Sequence, residues 1–302
     1  GRAARAGART RVIHLSRKWK RKGFAPESSV SWAALKSCAA SGAWEVASAI
    51  IEELETEQME LTPVHYECAL RACDRHARWQ EALAILNRAQ ETGIRPNVGA
   101  LECVLRACSK ADQYKMVGVV WEMLRRESRR EPFPLRPDIR TYNTLMRALT
   151  GGFDKGRNGN RERGERARRV LEAYDEAIAI GLAPDAPALK HALRAADIVG
   201  DDERALSLLE RWRDSGYPAE VLPYSNAMSA CARNGKVAVV LRLLAQMRDE
   251  GLRPTSYCFN SALVACSKSG QLYRARSILS DMEAGEAGET PTVPSYAARR
   301  RA

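Results

Sequence analysis

The sequence predicts an all-α fold, an α-solenoid of about seven 35-residue helix–turn–helix repeats, and three observations carry that expectation. Cys38, Cys73 and Cys108 are spaced 35 residues apart, and so are Cys231 and Cys266. Apolar residues stand at fixed offsets around each cysteine at helical spacing. Each unit then closes on a Gly- or Pro-bearing turn.

The first helix comes from the residues before the cysteine. Three positions earlier stands Leu35, Leu70, Leu105, Met228 or Leu263, and four positions earlier Ala34, Ala69, Val104, Ala227 or Ala262. These i, i+3, i+4 spacings make one apolar face. The residue just before the cysteine is small: Ser37, Ala72, Ala107, Ala230, Ala265. A free cysteine behaves as a small buried hydrophobe, so this series belongs to a core.

Gly42, Gly235 and Gly270 break the chain after the first helix. A second helix follows, with Ala47, Ala82, Val117, Val240 or Ala275 nine residues after the cysteine and Ile51, Leu86, Trp121, Leu244 or Leu279 four further on. Trp44 and Trp79 share its first slot as packing residues. The turns "GIRPN" (Gly93–Asn97), "LRPD" (Leu135–Asp138), "GLAPD" (Gly181–Asp185) and "GLRPT" (Gly251–Thr255) end it, because Gly can cap a helix and Pro cannot continue one.

The register divides the chain into 28–62, 63–97, 98–138, 139–185, 186–220, 221–255 and 256–292. The third unit is lengthened through "RRESRREPFP" and the fourth through "GGFDKGRNGNRERGER", which reads as a flexible Gly/Arg-rich insertion near 151–164. Residues 1–27 form a basic arm or transit-peptide remnant, and 293–302 resemble the start of a further unit.

Net charge is +11, yet residues 1–22 hold nine Lys/Arg and no acid, and residues 299–301 add three Arg, so the body is near neutral. An acid-free, Arg-rich stretch suits organelle targeting, a basic arm on nucleic acid, or a solvated tail. No apolar run is long enough for a membrane span. The eight cysteines include no CxxC pair and follow no secreted disulfide pattern. His14, His65, His76 and His191 are scattered without metal-ligand spacing, and Gly151–Gly164 lacks the GKS/T of a phosphate loop. No catalytic residues, metal or cofactor are therefore expected.

The 35-residue period, "TYNTLMRAL" at Thr141–Leu149 and the "RPD"/"APD" turns resemble the pentatricopeptide repeat family, over roughly residues 28–298. The resemblance implies a right-handed superhelix whose first helices line an inner surface for single-stranded RNA, about one base per repeat. It implies that the fifth and last residues of a repeat choose the base. Carried across, these pair as Glu67/Asn97, Glu102/Asp138, Asn143/Asp185, Lys190/Glu220, Ser225/Thr255 and Asn260/Thr292. Asn143/Asp185 matches a uracil-preferring pair and Asn260/Thr292 a pyrimidine-like one, whereas Glu67, Glu102 and Lys190 depart from the family pattern. The phosphate slot implied by the resemblance holds Arg75, Lys110, Arg233 and Lys268, two residues after their cysteines; ordinary charge at a helix end fits the same cations. Arg17, Lys18, Lys20, Arg21 and Lys22 of the arm are further phosphate candidates.

The expected function is non-catalytic RNA binding in organellar RNA metabolism (processing, stability or translation), in a mitochondrion or plastid. The alternative is a structural subunit of a large organellar ribonucleoprotein such as a ribosome. Expected partners are single-stranded or ribosomal RNA and other proteins of such a complex.

Overall fold

The computed structural model describes residues 28–283 except 60, 133, 152 and 154–158. The described residues form fourteen α-helices and no strand. They fall into two compact units, 1–151 and 152–302.

In the first unit, α1 (Ser28–Ser41), α3 (Pro63–Arg75), α5 (Val98–Lys110) and α7 (Ile139–Thr150) stack in succession. Behind them, α2 (Trp44–Thr56), α4 (Trp79–Glu91) and α6 (Tyr114–Ser128) each pack on the first helix of their own hairpin and on that of the next. The second unit opens with α8 (Asn160–Ala179), which packs on α9 (Ala186–Val199). There α9, α11 (Val221–Arg233) and α13 (Ser256–Ser269) stack, backed by α10 (Asp202–Asp214), α12 (Val237–Asp249) and α14 (Leu272–Glu283). Each unit is thus an all-α solenoid in which a hairpin buries its apolar face against its neighbours.

The repeated register is the core. Cys73, Cys108, Cys231 and Cys266 are fully buried, together with Leu70, Leu105, Met228 and Leu263 and with Ala47, Ala82, Val117, Val240 and Ala275 of the second helices. Small side chains at these crossings let the helices approach closely, and each thiol fills a methyl-sized space. Ser37 is exposed and Ala34 half-buried, since α1 has no described hairpin before it. Trp121 fills a slot held elsewhere by Ile or Leu, and it meets Tyr142 edge-on at 5.0 Å between ring centres.

Glycine sits at a left-handed backbone position after the first helix in four hairpins: Gly42 (φ 73°), Gly200 (79°), Gly235 (69°) and Gly270 (68°). Ala77 (54°) and Asp112 (56°) hold the same slot in two hairpins that lack glycine there. The turn geometry is retained despite a Cβ clash of roughly 1–2 kcal/mol per residue.

Polar ties join neighbouring hairpins. Tyr66 donates to Glu55 Oε1 at 2.7 Å, and Arg88 donates to Glu55 Oε2 at 2.5 Å. In the second unit Tyr224 donates to Glu250 Oε1 at 2.6 Å, and Arg213 Nε donates to the same oxygen at 3.0 Å. The triangle is the same with roles exchanged: the acid comes from the preceding hairpin in the first case, the arginine in the second. Burial, with the adjacent glutamate, pushes both phenols up to about 12. His65, 2% exposed, accepts from the Thr62 backbone N–H at Nδ1 (3.1 Å), and its Nε2 lies 3.3 Å from Ser31 Oγ in the preceding hairpin.

One expectation needs correction. The Gly/Arg-rich insertion is not a loop throughout: Asn160 onward is the start of α8, a 20-residue helix, and Arg166 is only 1% exposed. Asn160–Arg166 supply about two extra turns, because Arg and Glu outweigh the single Gly164 as helix formers once a hydrophobic stripe from Ala167 to Ala177 follows.

Candidate nucleic-acid interface

The fifth residue of each repeat lies on its first helix, and the last residue immediately precedes the next first helix. The last position is therefore already committed to capping, since Asn97, Asp138 and Asp185 are the N-caps of α5, α7 and α9. Their side chains accept from the backbone N–H of Ala100 (2.8 Å), Thr141 (2.9 Å) and Ala188 (3.0 Å). Asn and Asp suit this because their short side chains reach an otherwise orphaned donor.

Three of the pairs are tied to themselves. Asn97 Nδ2 donates to Glu67 Oε2 at 2.8 Å, and Glu67 also takes Arg71 at 2.6 Å. Glu67 lies over the start of α5 where residue 99 is glycine; a Cβ there would stand 2.9 Å from its carboxylate. Glu102 accepts from the Thr141 hydroxyl at 2.7 Å, and the same hydroxyl lies 3.1 Å from Asp138 Oδ1. Lys190 Nζ is 2.7 Å from Glu220 Oε2 and 5.4 Å from the Trp212 ring centre.

The other pairs differ. Ser225 is buried, 5% exposed, and donates to the Leu222 carbonyl. Thr255 precedes α13 with its hydroxyl 3.6 Å from Cys258 Sγ. Asn143 and Asn260 are half-buried on α7 and α13. Thr292 and the arm residues Arg17, Lys18, Lys20, Arg21 and Lys22 lie outside the described residues.

Within each unit the cation slot lies at the ends of first helices, and Lys110, Arg233 and Lys268 reach back to the preceding first helix. Lys110 Nζ meets Asp74 Oδ1 at 2.9 Å and its carbonyl at 2.8 Å. Arg233 pairs with Asp197 at 3.3 Å and donates to the Ile198 carbonyl at 3.2 Å. Lys268 donates to the Arg233 carbonyl at 2.6 Å. These contacts satisfy carbonyls at the negative end of each helix dipole. Arg75 is exposed, and among the described residues no carboxylate pairs with it or with Lys268. The acids Asp74 and Asp197, one residue past the cysteine slot, were not evident from the sequence; a spacing of 36 residues to the next repeat's cation was the available signal.

Among the described residues no group of three His, Cys, Asp or Glu side chains is placed to hold a metal ion, and no helix is long and apolar enough to cross a membrane.

Two-helix hairpins that recur at about 35 residues, four of them with a cation two residues after the small-residue slot, define an α-helical repeat protein of the 35-residue class. Residues 17–218 match the family model described as the pentacotripeptide-repeat region of PRORP, residues 207–269 match the pentatricopeptide repeat domain, and residues 257–285 match the PPR repeat. The chain belongs to the pentatricopeptide repeat family. No curated protein matches it. Among solved structures, nuclear proteinaceous RNase P 2 from Arabidopsis thaliana is 13% identical over 66% of this chain and 40% of its own, with a TM-score of 0.55. The maize pentatricopeptide repeat protein PPR10 is 22% identical over 98% of this chain and 45% of its own, with a TM-score of 0.48. The chain thus spans less than half of either protein's length.

Proposed function

We propose that this chain binds single-stranded RNA along its first helices, without catalysis, and acts in organellar RNA metabolism. The observation that carries the reading is two pairs of cations one repeat apart, Arg75 and Lys110 in the first unit and Arg233 and Lys268 in the second, within a member of this repeat family. Phosphates of an extended strand recur at a spacing such pairs can follow, and neutralising them releases counterions. Base selection is weak on this reading. Glu67, Glu102 and Lys190 are engaged by Asn97, Thr141 and Glu220, and Asn143/Asp185 is the pair that matches a base-choosing combination of the family. The Arg-rich, acid-free segment 1–22 supports a mitochondrial or plastid setting and adds cations for phosphate. The matched region of PRORP is a repeat region, which supports a binding role.

The self-tied pairs favour one further reading, in which the stack is a structural subunit of a large organellar ribonucleoprotein and meets folded RNA and protein. Sedimentation of the native protein separates the two. A free RNA factor sediments away from ribosome-sized particles and crosslinks to transcripts. Quantitative co-sedimentation with such a particle would replace the first reading by the second.

A further inference from the structure

The lengthened stretch of the third unit, between α6 and α7, concentrates charge in a chain whose body is near neutral. Residues 125–136 hold five arginines, no lysine and two acids. Nearby acids answer part of this charge. Arg125 pairs with Glu122 at 2.9 Å, and Arg130 pairs with Glu127 at 3.3 Å. Arg95, from the turn before α5, pairs with the same Glu127 carboxylate and donates to the Glu127 carbonyl at 2.9 Å. Arg126, Arg129 and Arg136 are exposed, and among the described residues no carboxylate pairs with any of them. Glu131, the remaining acid of the stretch, is exposed and makes no ion pair with them.

Backbone hydrogen bonds bring these three arginines to one place. The Arg129 N–H donates to the Arg126 carbonyl at 3.2 Å at the end of α6, and the Leu135 N–H donates to the Glu127 carbonyl at 3.1 Å. The linker therefore folds back on the end of α6, and Arg136 follows directly on the residue that makes the tie. Guanidinium forks match the oxygens of a phosphate, and a stretch that uses arginine and no lysine suits that match. The tied linker holds the three positions together beforehand, which lowers the ordering cost of binding.

Position selects the kind of RNA. Arg75 and Lys110 lie at the ends of first helices, whereas Arg136 lies just before Asp138, the cap at the start of α7. A first helix such as α7, of twelve residues, is about 18 Å long. A single strand that follows the cation slot passes the arginines by about that helix length, so phosphates at the arginines come from a second strand. An A-form duplex is recognised by its shape and its backbone rather than by its bases.

We propose that Arg126, Arg129 and Arg136 bind the backbone of a double-stranded RNA element, as a contact separate from the cation slot of the first unit. The proposal rests on the RNA-binding reading above. The contact is sequence-independent, because guanidiniums on phosphate read no base.

The test is a salt titration of the full chain on a uridine-rich single strand and on the same strand with a hairpin at one end. It compares wild type with Arg126→Gln/Arg129→Gln/Arg136→Gln and with Arg242→Gln/Arg253→Gln/Arg276→Gln, an equal charge change at exposed positions of the second unit. Wild type should bind the hairpin-bearing strand more tightly and with a steeper slope of log affinity against log salt. The first triple variant should lose that advantage, its slope falling by about 0.7–0.9 for each arginine that meets a phosphate, and the second should keep it. Melting temperatures of the two variants should match wild type, since all six side chains are exposed. Three results overturn the contact while the RNA reading stands: no gain from the hairpin in wild type, an equal loss in the second variant, or an equal loss on the bare strand. Binding of polyglutamate that the first variant abolishes, with hairpin binding intact, would assign the arginines to an acidic protein instead. Absence of RNA binding by wild type overturns both readings.

Discussion

Asn97 Nδ2 donates to Glu67 Oε2 across 30 residues at 2.8 Å, so the last and fifth residues of one repeat satisfy each other. Asn97 also caps α5 through Ala100. Its role is then structural, and Asn97→Ala should cost about 0.5–2 kcal/mol, the usual loss for an N-cap. Denaturant unfolding reads that loss, and the ratio of affinities for uridine- and adenosine-rich strands should stay as it was. A changed ratio with unchanged stability would give Asn97 a reading role instead.

Lys110 and Lys268 share a slot but differ in company. Lys110 faces Asp74, whereas Lys268 meets only the Arg233 carbonyl among the described residues. A cation already paired has less to gain from a phosphate. Lys268→Ala should therefore weaken RNA binding and its salt dependence more than Lys110→Ala, while Lys110→Ala lowers stability more, since it strips a partner from buried Asp74. Binding and melting curves of the two variants decide; the reverse order would contradict the assignment.

Ala77 holds a left-handed turn that glycine holds in other repeats. Ala77→Gly removes the Cβ strain of roughly 1–2 kcal/mol but adds freedom to the unfolded chain worth about 0.4–1 kcal/mol. The net expectation is a gain of a few tenths to about 1 kcal/mol, with Gly42→Ala acting in the opposite sense. Chemical denaturation of both variants checks the pair of signs.

Burial pushes the thiols of Cys73 up to about 12 and of Cys103, Cys108 and Cys231 up to about 11, against an ordinary value near 9.0. Their contribution to stability is whole below pH 9 and is lost as pH rises through the folded values, because the unfolded chain releases these protons first. Melting temperature should hold from neutrality to about pH 9 and fall steadily toward pH 11. In native protein, Cys68, which is half-buried, should alkylate ahead of the seven buried cysteines. Rapid labelling of Cys73 or Cys108 would show that the core assignment is wrong.

The cysteine register was legible because a buried small residue recurs at a fixed period, and a period survives in the letters. Other features left no such trace. Ala77 and Asp112 adopt a glycine conformation without being glycine, since the helices on either side determine the turn. The run near 151–164 reads as a flexible insertion, but the apolar stripe after it carries the helix back to Asn160. Whether Glu67 faces a base or Asn97 depends on the absence of a Cβ at Gly99, an approach between residues 32 apart that neither residue announces. The recurring cation slot was legible as spacing; its ties to Asp74 and Asp197 were not, because a charge in the sequence does not say which neighbour has claimed it.

The central claim is that this stack holds RNA by its phosphates and reads few bases. Salt titrations of full-length wild type and Asn143→Ala on uridine-rich and adenosine-rich single strands test it most directly. The account predicts a steep salt slope on both strands and a uridine preference no larger than one bidentate contact supplies, about 1–3 kcal/mol, that disappears in Asn143→Ala. A shallow slope together with a strong preference that survives Asn143→Ala would contradict it.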